Sequence, residues 1–146
     1  MPELSHRVQT FTDSVIRRMT RISDEVDAIN LSQGFPDFPP PKAITDRLRE
    51  VADEGPHQYS VTFGAENFRE ALARKQGRAY GREINPDTEI LVTCGGTEAM
   101  MSAMMTVCNP GDKVVVFSPF YENYGADAIL SGADPIFVPL VPPTFD

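Results

Sequence analysis

The sequence predicts an α/β fold in which a mostly parallel sheet carries helices on both faces, and three observations lead there. From Glu89 to Val138 the chain reads as strand (Glu89 to Thr93), helix (Thr97 to about Val107), strand (Lys113 to Phe117), helix (about Tyr121 to Leu130) and strand (Pro135 to Val138), an alternation that requires parallel strands joined by crossover helices. The strands are continuous apolar runs, Val114-Val115-Val116-Phe117 being the clearest, as strands buried on both faces are. The first of them ends in the loop Thr93-Cys94-Gly95-Gly96-Thr97-Glu98, where paired glycines and a hydroxyl residue open a helix. Unpaired backbone amides and the helix dipole favour a negative charge at such a place, and a phosphate is the expected guest.

The elements before this βαβαβ unit are helices and ordered loops. Ser5 can cap a first helix in which Val8, Phe11, Val15, Met19 and Ile22 form one apolar stripe, with Arg17, Arg18 and Arg21 mostly off it. Ile29-Asn30-Leu31 is a short extended piece leading into residues 32–41, where four prolines and Gly34 exclude a helix or a central strand. A second helix follows Pro41, burying Ile44, Leu48 and Val51 and ending before Gly55-Pro56. His57 to Gly64 is again irregular. A third helix, Ala65 to Tyr80, turns Phe68, Leu72 and Tyr80 inward, and Gly81 suits its left-handed closing position. Further on, Asn109-Pro110-Gly111-Asp112 suits a type II turn, with proline fixing its second position and glycine accepting positive φ at its third.

With 146 residues, one domain is the expectation from length. The proline-rich stretch from Pro139 to Asp146 follows a buried strand with no covering helix, which reads as a piece of a longer domain. The net charge of -8, from 21 acidic against 13 basic residues with dispersed arginines, offers no footprint for nucleic acid. Cys94, Cys108, His6 and His57 are too scattered for a zinc-type ligand set, so no metal is expected, and both cysteines read as buried thiols of a reducing compartment. No signal core precedes the first helix, and no apolar run approaches the roughly 18 residues that a membrane span requires. The cytoplasm is the expected location and no membrane partner is expected.

The glycine loop departs from two familiar phosphate loops. Thr97 and Met100 stand where a dinucleotide fingerprint needs its second and third glycines, and the Gly-Lys-Ser/Thr of a Walker A loop is absent. Two readings remain side by side: a cradle for one isolated phosphate, or a plain strand-to-helix turn with Thr97 as N-cap. Tyr121, in Ser118-Pro119-Phe120-Tyr121, follows the second strand at the sheet edge that carries the glycine loop. Ligands bind at that edge in open α/β sheets, so Tyr121 either stacks on a flat heterocycle or packs in the core.

Four blocks carry a resemblance. Asn30-Leu31-Ser32-Gln33-Gly34-Phe35-Pro36-Asp37-Phe38; Gln58-Tyr59 with Gly64 and Phe68-Arg69-Glu70-Ala71-Leu72; Val92-Thr93-Cys94-Gly95-Gly96-Thr97-Glu98-Ala99; and Asn109-Pro110-Gly111-Asp112 with Ser118-Pro119-Phe120-Tyr121 resemble, in order, the amino-terminal part of class I aminotransferases of the fold-type I pyridoxal-phosphate family. The resemblance implies a fold-type I arrangement, a three-layer α/β/α domain with a mostly parallel sheet. Residues 1–41 would be an amino-terminal arm on the small-domain side, and residues 42–146 the first part of the large cofactor-binding domain. It implies pyridoxal 5'-phosphate as cofactor, with Gly95, Gly96 and Thr97 holding its phosphate and Tyr121 stacking on its ring. Tyr59 would reach the phosphate of the neighbouring subunit's cofactor, which implies a homodimer. Gly34 would lie beside the substrate carboxylate, the substrates being an amino acid and a 2-oxo acid.

The reaction of that family also needs a lysine to hold the cofactor, an acid at the pyridine nitrogen and an arginine for the substrate carboxylate. In relatives all three lie farther along than Asp146. Of the lysines present, Lys42 opens a helix, Lys75 lies in a charged helix and Lys113 begins the second strand at the opposite edge. No catalytic residue is therefore expected in this chain. Gly-Gly-Thr-Glu in place of Ser-Gly-Thr is similar to relatives acting on methionine, aromatic amino acids or kynurenine. Rival readings are a carbon–sulfur lyase, a cyclopropane-forming synthase or an aminotransferase-like transcription factor within the same fold. Outside it stands a non-enzymatic domain binding a phosphorylated metabolite.

Overall fold

The computed structural model describes residues 3–55 and 57–145. It divides into two compact units, one of Val15–Ile90 and the other of the described parts of Met1–Ser14 and Leu91–Asp146.

The first unit holds α1 (Val15–Glu25), α2 (Lys42–Asp53) and α3 (Glu66–Tyr80). α2 begins directly after Pro41, and α3 closes on Gly81, whose left-handed φ of 64° lets its amide bond the Gly77 carbonyl. The first helix is a correction to the sequence reading. Instead of running on from Ser5, the chain makes one 3-10 turn at His6–Val8 and starts α1 only at Val15. Thr12, Asp13 and Ser14 stand between, residue types whose side chains compete with helical bonding by engaging nearby backbone.

A second correction concerns burial. Ile44, Leu48, Val51, Phe68 and Tyr80, expected inward, are all exposed, as are Val15, Met19 and Ile22 of α1. Only Ala73 among the apolar residues of α3 is fully buried, with Leu72 half-buried. An apolar stripe needs a second layer to cover it, and the described residues of this unit form helices and loops alone.

What organises the unit is a buried charge. Arg69 of α3, 6% exposed, donates from Nε to the Gly64 carbonyl at 3.0 Å and from Nη1 to the Pro86 carbonyl at 2.6 Å and Asp87 Oδ1 at 2.7 Å. It thereby ties the loop before α3 to the loop after it. A smaller cluster shapes the segment after α1. Asn30 Oδ1 accepts from the Ser32 amide at 2.9 Å, an Asx-type turn, while Asn30 Nδ2 donates to the Thr20 hydroxyl at 3.1 Å.

The second unit holds α4 (Gly95–Val107), β1 (Lys113–Ser118), α5 (Asn123–Leu130) and β2 (Asp134–Pro139). β1 and β2 pair in parallel, in register from Lys113 with Asp134 to Ser118 with Pro139. The Asn109–Asp112 turn forms as read, with the Asp112 amide on the Asn109 carbonyl at 3.1 Å and Gly111 at φ 90°. α5 packs on both strands and α4 packs on α5. Phe120 stacks on Phe137 of β2, ring centroids 5.0 Å apart. The Phe137 ring passes so near Gly125 that a Cβ there would meet its Cζ at 3.2 Å. Val116, Ala128 and Ala133 form the apolar centre.

Two strand readings need correction. Glu89 to Thr93 is not a strand; it begins in a bend at Glu89 and has no ladder partner among the described residues, where the sheet comprises β1 and β2 alone. β1 is not buried on both faces either. Val115 and Phe117 are exposed, and an apolar groove of about 280 Å³ opens between Met100 and Met104 of α4 and residues Val114–Phe117 of β1.

Candidate phosphate site

The glycine loop forms a tight corner. The Gly95 amide donates to the Thr93 carbonyl at 2.8 Å and the Thr93 hydroxyl to the Gly95 carbonyl at 3.0 Å. Gly95 sits at φ 82°, a conformation that a side chain would strain. Because α4 starts at Gly95, Thr97 is its third residue and not its N-cap, which corrects one of the two sequence readings. The N-cap position belongs to Cys94, which is exposed, contrary to expectation, while Cys108 is half-buried. The Glu98 carboxylate reaches back to accept the Cys94 amide. The amides of Gly96 and Thr97, in the first turn, have no intrahelical acceptor by construction.

These groups face the start of α5. Asn123, its first residue, donates from Nδ2 to Thr97 Oγ1 at 3.1 Å, so the amino termini of α4 and α5 meet. Tyr121 lies half-exposed just before α5, its ring edge-on to Tyr124 with centroids 5.9 Å apart. Gly96, Thr97, Met100, Tyr121, Asn123 and Tyr124 line one open depression of about 320 Å³. It joins free amide donors, a hydroxyl, a carboxamide and an aromatic face beneath two positive dipole ends. Asn123 and Glu98 escaped the sequence reading. Assigning Thr97 as N-cap hid the role of Glu98, and nothing local marks Asn123, which meets Thr97 only through the packing of α4 on α5.

Of the predicted site residues, Gly96, Thr97 and Tyr121 line this depression and Gly95 adjoins it. Tyr59 and Gly34 belong to the other unit. Tyr59 is fully exposed, and Gly34 follows the Asn30 turn with open space where a Cβ would stand. No lysine lies in the depression. Lys42 pairs with Asp46, and Lys113 pairs with Asp134 at 2.5 Å at the end of β1 opposite Ser118, about 17 Å away at the usual rise of a strand. Among the described residues no three His, Cys, Asp or Glu side chains gather as a metal site, and no helix is long and apolar enough to cross a membrane.

Fold and site together define an α/β protein with a glycine-opened helix amino terminus and an aromatic wall sharing one depression. The family model for aminotransferase class I and II matches residues 26–145, and the chain belongs to that family. It is 38% identical over 132 residues to methionine aminotransferase of Escherichia coli, covering 90% of this chain and 34% of that protein. It is 36% identical over 124 residues to human kynurenine–oxoglutarate transaminase 1, covering 84% of this chain and 29% of that protein. The crystal structure of Escherichia coli YbdL, described as having a methionine aminotransferase function, superposes with a TM-score of 0.91 at 34% identity, over 100% of this chain and 38% of that one. The chain thus spans about a third of the length of the relatives it matches.

Pyridoxal phosphate is the cofactor of class I aminotransferases, and the depression fits it in kind. The open Gly96 backbone, the first-turn amides and the Thr97 hydroxyl suit a phosphate, and the Tyr121 face suits a planar ring. When bound, the cofactor supplies the electron sink for chemistry at an amino acid's α-carbon.

Proposed function

We propose that this chain is the amino-terminal, cofactor-holding part of a pyridoxal-phosphate-dependent aminotransferase that moves an amino group from an amino acid to a 2-oxo acid. One observation carries the reading: in a chain of this family, the amides and hydroxyl opening α4 share one depression with Tyr121. Gly95, Gly96 and Thr97 bind the phosphate, and Tyr121 stacks on the ring and shields one face from water. Gly34 offers backbone beside the substrate carboxylate. Tyr59, with its ring wholly uncovered, reaches the cofactor phosphate of a second subunit in a homodimer. Residues 1–41 act as the arm and 42–146 as the start of the large domain, in a cytoplasmic protein. The lysine that holds the cofactor, the acid and the carboxylate-binding arginine come from sequence beyond this chain.

The decisive experiment uses the full-length protein. Purified from cells, it should carry bound pyridoxal phosphate and convert methionine, aromatic amino acids or kynurenine to their 2-oxo acids in the presence of an acceptor, in preference to aspartate. Borohydride reduction should leave Lys42, Lys75 and Lys113 unmodified. A pyridoxyl group on any of the three refutes the assignment, and keto-acid release without an acceptor identifies a lyase instead. Tyr59→Phe should weaken cofactor binding by about 1.5 to 3 kcal/mol, the range for a hydrogen bond to a charged group.

A further inference from the structure

We propose that Asn123 is a positioning residue that aims the Thr97 hydroxyl proton at the cofactor phosphate, an inference that rests on the pyridoxal-phosphate reading above. A threonine hydroxyl has one proton to give and two lone pairs to offer. Alone in a helix it can spend that proton on the backbone carbonyl one turn back, as Thr106 in the last turn of α4 does in bonding the Ser102 carbonyl at 2.7 Å. At Thr97 the position of a second donor changes the outcome. Asn123 Nδ2 donates to Thr97 Oγ1 at 3.1 Å, which occupies one lone pair and leaves the proton directed away from α5. Both side chains line the depression, so an acceptor there receives it.

Asn123 is held in place on both sides. Glu122, immediately before it, accepts from the Ser14 hydroxyl at 2.6 Å. The Tyr124 amide, immediately after it, bonds the Tyr121 carbonyl at 3.1 Å. The carboxamide therefore stands on a braced turn, at the junction of two helix amino termini where a neutral donor adds no charge against a phosphate. An aspartate of the same shape would accept the Thr97 proton and oppose the anion.

The test compares pyridoxal phosphate with pyridoxal, which lacks the phosphate, as ligands of the full-length apoenzyme. Asn123→Ala should weaken pyridoxal phosphate about tenfold, as expected for loss of one well-placed hydrogen bond, and leave pyridoxal unchanged. Asn123→Asp should weaken it more, again with pyridoxal spared. On a Thr97→Val background, Asn123→Ala should cost little further, because the group it positions is gone. Equal losses for the two ligands, or an undiminished cost in Thr97→Val, would mean that Asn123 merely supports the fold and would overturn the inference. Wild-type protein that binds neither ligand overturns the cofactor reading itself and this inference with it.

Discussion

Replacing Arg69 by methionine keeps the apolar stem and removes the guanidinium, and the structure specifies what is lost. Two of its three acceptors are backbone carbonyls, of Gly64 at 3.0 Å and Pro86 at 2.6 Å; the third, Asp87, has a side chain 73% exposed. Asp87 can turn to water, so no buried charge is left behind. The two carbonyls lose their buried donor, at about 1–3 kcal/mol each. Arg69→Met should therefore destabilise the full-length protein by about 2–6 kcal/mol, seen as a lower urea midpoint with unchanged m-value. Asp87→Asn should cost at most about 1 kcal/mol, as exposed ion pairs do, and raising the salt concentration should leave the Arg69→Met effect nearly intact. If Asp87→Asn matches Arg69→Met, or high salt abolishes the difference, the ion pair rather than the carbonyl clamp holds these loops, and the reasoning fails.

Three further outcomes follow from local geometry. Asp127 in α5 is buried with Oδ2 unpartnered, and burial raises its pKa above the ordinary 3.8; the native state then keeps a proton the unfolded chain has lost. Stability should fall as pH rises from about the ordinary value through the raised one, and Asp127→Asn should flatten that slope and stabilise at pH 7, as read by thermal unfolding across pH. Gly95→Ala, forced to φ 82°, should cost about 1–2 kcal/mol, measured by urea unfolding. Lys113→Ala removes an ion pair whose side chains are 60% and 64% exposed, so the urea midpoint should shift by no more than about 1 kcal/mol in stability.

Much of the architecture was legible wherever a local rule governs it. α2 after Pro41, α3 closed by Gly81, the Asn109–Asp112 turn and the two strands β1 and β2 follow from proline and glycine geometry and from apolar runs, all of which act within a few residues. The readings that failed depended on partners. Glu89 to Thr93 has strand composition but no neighbouring strand to bond among the described residues, and a strand exists only by its ladder. The stripe of α1 and the apolar positions of α2 identify faces to be covered without saying what covers them. Of the candidate site, Gly95, Gly96, Thr97 and Tyr121 were readable from spacing and resemblance, whereas Glu98 and Asn123 were not.

By itself, then, the sequence determined a glycine-opened helix start in an α/β chain of the aminotransferase family, because backbone conformation and turn chemistry are properties of contiguous residues. Tertiary structure alone decided that Arg69 is buried as a clamp between two loops and that Asn123 meets the Thr97 hydroxyl across 26 positions of sequence. Each is set by the packing of elements distant along the chain, where a hydrogen bond depends on angstroms that residue identity does not carry.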